Sequence, residues 1–349
     1  MTAASEVESS YERQDGDVVA GPARRRGPRG PLVAVPVIAL LVAAPLVLGP
    51  YPVTTMTRIL AFAVLVLSVD LLTGITGLPT LGQAAYFGVG GYTAVLTGLH
   101  VTSDAAVQVV AALAAGVIAA AATGWVAVRA RGIVFLMLTL AIGESVHQVA
   151  DTWKAVGGSN GLSGMPPISL FGGPPIIAAG FVYWWVLAVA IVVFAAVALV
   201  ARSPYGRTLR GVRDNEARMR ALGYRPTLAR FGVFCLAGGV AGAGGALWVS
   251  QARFISPGDL GFEIAALALL SVVIGGRGSL WGPCLGAAVV LLVRDNLSAY
   301  VGGHGPLVLG CLFVAVVFLV PRGLAGLTAP TGVRRPAGPA GAHRRESAS

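Results

Sequence analysis

The groups in this 349-residue chain best suited to chemistry are few, and they lie in apolar surroundings. Asp70, Glu144 and His147 fall within or beside hydrophobic runs. A charge at the centre of a bilayer costs about 2.5 to 3.5 kcal/mol, so each of the three needs a reason. Glu144 and His147 are three residues apart, on one helix face, and can pair; the imidazole also titrates near neutral pH and can move protons. Both sit toward the outer end of the apolar run 132–150, where a solvated helix end explains them equally well. Asp70 closes an apolar run just before Gly74 and Gly77, a pattern that suits capping of a broken helix or lining of a path. With Gln83, Tyr86 and Glu144, these residues form a candidate pathway set.

Enzyme chemistry finds no support. His100, His147, His304 and His343 are scattered without the spacing that puts two imidazoles on one helix face, and Cys235, Cys284 and Cys311 sit singly in apolar segments. No catalytic residue and no metal site is expected. A phosphate-binding loop needs a glycine-rich turn ending in lysine and then serine or threonine, whereas the one lysine, Lys154, is followed by Ala155. If ATP drives this protein, another chain must bind the ATP and its magnesium.

One polar region stands apart. Between Arg202 and Arg230 lie eight arginines, opposed by Asp214 and Glu216. Ser203-Pro204 is a helix start, with a serine to cap an amide and a proline at the first helical position. A first helix is expected to run to about Arg213. Asp214 can then cap a second through Asn215, Glu216, Ala217, Arg218 and Leu222, stopped by Gly223 and Pro226. So short a helix needs a partner to be stable, whether its own protein or another. A basic interfacial helix drawn to anionic membrane lipid, through Arg207, Arg210 and Arg213, is the competing reading.

The elements that hold these groups must be membrane spans. Mean hydropathy is +0.78, and the chain is 56% hydrophobic and only 11% charged, against the roughly 25% charge of soluble domains. Its net charge of +10 sits at the ends of apolar runs, which marks topology and not a nucleic-acid-binding face. Ten candidate spans run approximately 32–49, 57–73, 80–99, 105–128, 132–150, 176–201, 231–250, 261–276, 280–296 and 306–321, the third, eighth and ninth being the most marginal and open to a re-entrant or broken geometry. With ten crossings and both termini inside, every basic residue except Arg58, Lys154, Arg253 and Arg294 lies inside. Residues 1–31 and 324–349 read as disordered cytoplasmic tails around a polytopic domain, 32–323. The outer loop 151–175 is long for a connection, and its Gly158, Ser159, Asn160 and Gly161 are candidate functional residues. Two glycine-rich stretches, 73–90 and 273–289, share a plan of glycine cluster, short turn and small-residue helix, which would suit two related transporter halves.

The island resembles the cytoplasmic loop of ABC-importer permeases, whose Glu-Ala…Gly motif docks into a cleft on an ATPase subunit. Glu216, Ala217 and Gly223 match it. Arg218 stands where a second alanine is usual and the glycine comes one residue late, departures that are similar to branched-chain amino-acid permeases of the LivM type. LLTGITGLPTLGQAAYFGVGGYTA (71–94), RGIVFLMLTLAIGE (131–144), GGSNGLSGMP (157–166) and FISPGDLGFEIAALALLSVVIGGRGSLWGPCLGA (254–287) extend the resemblance in order along the chain. Met165 stands where the family tends to have isoleucine.

The resemblance implies an all-α integral membrane protein of the type II ABC-importer kind in the bacterial plasma (inner) membrane. Its partners would be a homologous LivH-type permease, two ABC ATPase subunits that bind ATP and Mg, an extracytoplasmic solute-binding protein and membrane lipid, with no nucleic acid. Residues 213–218, 222 and 223 would couple to the ATPase, and the 151–175 loop would receive solute from the binding protein. Branched-chain or related amino acids are the implied solutes. Urea or amide uptake stands beside them, and a proton-coupled carrier using Asp70, Glu144 and His147 is the reading from another class.

Overall fold

The computed structural model describes residues 41–46, 49–170, 172–176 and 178–300, with side chains to Asp295. Residues up to Val47 form a unit of their own, of which 41–46 are helical. The second unit, from Leu48, carries ten α-helices among the described residues. These are α1 (Pro50–Asp70), α2 (Gln83–His100), α3 (Ala105–Ala127), α4 (Gly132–Thr152), α5 (Ala179–Arg202), α6 (Pro204–Asp214), α7 (Glu216–Ala221), α8 (Pro226–Ala252), α9 (Phe262–Gly275) and α10 (Trp281–Tyr300). Among the described residues there are no strands, only two isolated bridges, Asp104 with Ser169 and Leu162 with Ile255.

Eight of the ten expected spans coincide with helices, α1 to α5 and α8 to α10, with α1 starting at Pro50 and α8 at Pro226, earlier than the apolar pattern suggested. The first expected span lies largely, and the last wholly, outside the described residues, as do the two tails. Among the described residues, six helical stretches are long and apolar enough to cross a membrane: Pro50–Thr76, Ala105–Ala127, Gly132–Thr152, Ala179–Arg202, Pro226–Ala252 and Pro257–Gly275. Within their most apolar parts, 89% of the first and 72% of α8 are buried, against 22% of α4 and 28% of α3 and α5. The first and α8 are therefore the inner helices; α3 and α5 turn apolar faces outward, and α4 turns outward a face that mixes apolar and polar side chains.

Close packing of α8 against α2 and α3 depends on missing side chains. A methyl group on Gly90 would collide with the backbone of Gly242, and one on Gly116 with that of Gly238. Where lipid gives no hydrophobic drive, such backbone contact supplies the dispersion energy that joins helices. Aromatic edges fill the rest: Phe234 of α8 meets the rings of Tyr86 and Phe135 at 5.7 and 6.2 Å.

α1 does not end cleanly. Leu71–Thr76 continues it as a π turn, closed by Gly77 in the left-handed region at φ 73°, whose N–H bonds the Leu72 carbonyl. In the second glycine-rich stretch α9 likewise ends at a positive-φ glycine, Gly276 at φ 99°, before α10 begins at Trp281. π turns are rare and frequent at functional sites.

Candidate functional site

The island folds into two helices that rest on the bundle. Ser203 Oγ accepts the Gly206 N–H at 3.2 Å with Pro204 at the first position, and Leu209 and Val212 of α6 are buried. Tyr205 donates its hydroxyl to the Ala229 carbonyl at 2.6 Å, tying α6 to α8. α7 is capped by Asn215, whose Oδ1 accepts the Arg218 N–H at 2.9 Å, and not by Asp214 as the sequence suggested. Asp214 is the last residue of α6, so the cap falls one residue later. At the other end Gly223, φ 85°, and Tyr224 donate to the carbonyls of Arg220 and Met219, the paired bonds of a glycine-closed helix end.

Glu216 fixes α7 in place. Its Oε1 takes Arg131 Nη2 at 2.8 Å and Arg220 Nη2 at 2.7 Å, and its Oε2 takes Arg230 Nη2 at 2.7 Å. These arginines come from the α3–α4 turn, α7 itself and α8, and the Arg230 side chain is only 8% exposed. Partial burial alone would raise the Glu216 carboxyl; the hydrogen bond and charge of Arg230, with the charges of Arg131 and Arg220, override it and hold the group below the ordinary carboxylate value. With Glu216 turned inward, Ala217, Arg218, Leu222, Gly223, Tyr224 and Leu228 remain exposed.

A second junction joins α6 to the π turn. The Arg213 guanidinium donates to the Gly74 carbonyl, and its aliphatic stem lies against Gly77. One turn back, Asp70 is buried, and its Oδ1 accepts the Gly278 N–H at 2.8 Å from the α9–α10 turn. A methyl group on Gly74 would overlap both Asp70 Oδ1 and Gly278 N. Residues read from the sequence as two sets, Arg213 in the docking loop and Asp70, Gly74 and Gly77 in the pathway, thus form one joint. It sits where the two glycine-rich stretches meet. Two of the three arginines offered for a lipid-facing stripe are engaged within the protein, Arg213 here and Arg210 on the Ala201 carbonyl.

Residues 51–320 match the family described as the branched-chain amino acid transport system permease component. The chain belongs to that family. It is 28% identical to the high-affinity branched-chain amino acid permease LivM of Salmonella typhimurium over 81% of this chain and 71% of that one. To LivM of Escherichia coli it is 28% identical over 86% of this chain and 76% of that one. The autoinducer 2 import permease LsrC of Salmonella paratyphi B is 29% identical over 37% of this chain and 38% of its own. No solved structure matches. The protein is thus a LivM-type permease subunit, multi-pass in the inner membrane, and not an enzyme.

The remaining pathway candidates of this permease are spread out. Tyr86 is buried, its hydroxyl 2.6 Å from Thr123 Oγ1 of α3. Gln83, at the first position of α2, is buried with neither amide atom bonded among the described residues. Glu144 is exposed and has no partner among the described residues, and it does not pair with His147. His147 Nδ1 instead donates to the Pro257 carbonyl at 2.8 Å, because the ring points to the bundle while Glu144 points away. Nor is Glu144 near a helix end: α4 runs Gly132–Thr152, and the residue stands two past its midpoint.

The 151–175 loop is stitched down. Leu162 and Ile255 exchange backbone bonds of 2.8 and 3.1 Å, and Ser169 donates to the Ser103 carbonyl at 2.8 Å. Gly157, Gly158 and Gly161 all take positive φ, and a methyl group on Gly161 would strike the Ile255 carbonyl. Ser159 and Asn160 are left exposed at the tip. A cavity of about 310 Å³ between α1, α5 and α8 is lined by Thr57 and Ser250, both already bonded to carbonyls of their own helices, and contains none of the motif residues.

Proposed function

We propose that this permease is half of the translocation unit of an ATP-driven importer for branched-chain or related amino acids, with a LivH-type permease as the other half. In this reading the chain crosses the membrane ten times, both termini and the arginine-rich end are cytoplasmic, and the 151–175 loop faces an extracytoplasmic solute-binding protein. Two ATPase subunits supply ATP and Mg chemistry; α7 seats in one of them through Ala217, Arg218, Leu222 and Gly223.

The observation that carries the reading is the bracing of α7. A six-residue helix has no stability of its own, yet here it is capped at both ends and clamped by three arginines, with an apolar and basic face left open. Force applied to α7 passes through Arg230 into α8 and through Arg131 into α4. From α6 it passes through Arg213 into the π turn of α1, and by Asp70 into the α9–α10 turn. Closure of the ATPases would thereby move α1, α4, α8 and α10 together. The proton-carrier alternative lacks a relay, since no hydrogen bond among the described residues joins any two of Asp70, Glu144 and His147.

The test is affinity purification of the tagged permease with its ATPase from mild detergent. Wild type is expected to retain the ATPase and Leu222→Asp to lose it while eluting as a folded monodisperse species. Wild type that purifies alone and moves solute down a proton gradient would sink the importer reading.

A further inference from the structure

We infer that the exposed face of α4 lines the solute path and that the Glu144 carboxylate receives the cationic nitrogen of the passing solute. This deepens the permease reading above and names the chemistry of its path.

α4 divides cleanly by face. Phe135, Thr139, Gly143 and Ala150 are buried at helical spacing, and Ile133, Val134, Met137, Ala141, Glu144, Ser145, Gln148, Val149 and Thr152 are exposed on the other side. That exposed face changes character along its length. Toward the arginine-rich end it is wholly apolar, Ile133, Val134, Met137 and Ala141; from mid-span to the loop end Glu144, Ser145, Gln148 and Thr152 outnumber the one exposed apolar side chain, Val149. The helix is 21 residues, about 31 Å at 1.5 Å per residue, which matches a bilayer core. Arg131 precedes it and Trp153-Lys154 follow it, the groups expected at the two interfaces. Glu144 therefore sits about 18 Å into the span, near the bilayer centre.

Four polar side chains on one face of a span do not point into lipid tails. The exposed faces of α3 and α5 show what a lipid-facing surface looks like in this protein: Val110, Ile118, Val192 and Leu199. Of the four polar side chains on α4, Ser145 and Thr152 place their hydroxyls on carbonyls of their own helix, whereas Glu144 and Gln148 face outward with their hydrogen-bonding capacity unmet among the described residues. The stripe also has a direction. It runs from the exposed Ser159 and Asn160 at the tip of the 158–160 turn, whose Gly158 bonds back to the Trp153 carbonyl at 3.2 Å, down through Thr152 and Gln148 to Glu144. Below Glu144 the face becomes apolar. A solute entering from the loop end meets hydrogen-bonding groups first and a carboxylate at mid-membrane, which selects for a cationic nitrogen such as an α-ammonium group and disfavours anions.

The test is thiol accessibility in native membranes, on the full chain with Cys235, Cys284 and Cys311 replaced by alanine. Ser145→Cys and Gln148→Cys are compared with Ile118→Cys and Val192→Cys, using a membrane-impermeant cationic methanethiosulfonate and its anionic sulfonate counterpart. Each rate is normalised to that of a free thiol in solution. Positions 145 and 148 are expected to react while 118 and 192 do not, and the cation to react about tenfold faster than the anion, the preference collapsing in Glu144→Gln. Labelling at 145 and 148 no faster than at 118 and 192 overturns the inference, because the face is then dry against lipid or another subunit. A cation preference that survives Glu144→Gln overturns the role of the carboxylate. Neither readout needs an ATPase, so loss of the importer reading and loss of this one are separately visible.

Discussion

Two glutamates of this permease invert the expectation set by their positions in the chain. Glu216, in the polar island, is the one that is satisfied: three guanidinium groups hold it and its side chain is 15% exposed. Glu144, in the middle of an apolar span, is the one left open. A carboxylate saturated by its own chain has a structural task, and one that the fold leaves bare at a site where bareness is costly is set toward something outside the chain. Glu216 therefore acts as the brace of α7, and Ala217, Arg218, Leu222 and Gly223 are its open face, which the importer reading gives to the ATPase.

The largest effect tests this contrast directly. Glu216→Ala strands Arg230, which is nearly buried, and is expected to cost about 3 kcal/mol, since removing one partner of a buried pair leaves an uncompensated charge. Glu144→Ala removes no hydrogen bond or ion pair among the described residues and should change stability by less than about 0.5 kcal/mol. Heating the detergent-purified protein and following the monodisperse size-exclusion peak measures both. Equal losses would erase the distinction between brace and open site.

The joint between α6 and the π turn offers the next effect. Gly74→Ala forces a methyl group into the Asp70–Gly278 hydrogen bond, a charge-assisted bond of about 1.5 to 3 kcal/mol, and should lower transport by about tenfold while the ATPase still binds. Asp70→Asn keeps an oxygen to accept the Gly278 N–H and should retain most transport. If instead Asp70→Asn is as damaging as Gly74→Ala, the charge itself matters and Asp70 belongs with Glu144 as a group that meets solute.

Much of this arrangement was legible in the chain. Ser203-Pro204, Gly223 and Pro226 announce the ends of α6, α7 and α8 because caps and breakers act locally. The apolar runs located eight helices, since span length is set by the bilayer. What pattern reading misses is partnership. Asp214 and Asn215 are both good caps, and only the length of α6 decides between them. Glu144 and His147 share a helical spacing, but the 110 residues between His147 and Pro257 hide the bond that turns the ring away. Arg213 reaching Gly74 is a contact across 139 residues. A signal was nonetheless present: a polar stripe of Glu144, Ser145, Gln148 and Thr152 at helical spacing inside an apolar span.

The smallest effect separates the three arginines around Glu216. Arg131 is 59% exposed, so Arg131→Ala should cost only about 0.5 kcal/mol, far less than loss of the inward Arg230. Acid gives a finer reading. Because the folded-state pKa of Glu216 is depressed, its stabilising contribution is complete above the ordinary glutamate value of about 4.3 and is lost as pH falls through the lower folded-state value. Proteolysis of the 202–230 loop should therefore appear only below that range in wild type. In Arg131→Ala its onset should move up slightly, because one of the charges that depress the carboxyl is gone. In Glu216→Gln this pH dependence should vanish. An onset unmoved by Arg131→Ala would mean that Arg220 and Arg230 alone set the clamp, and that α4 takes no load from α7 through this pair.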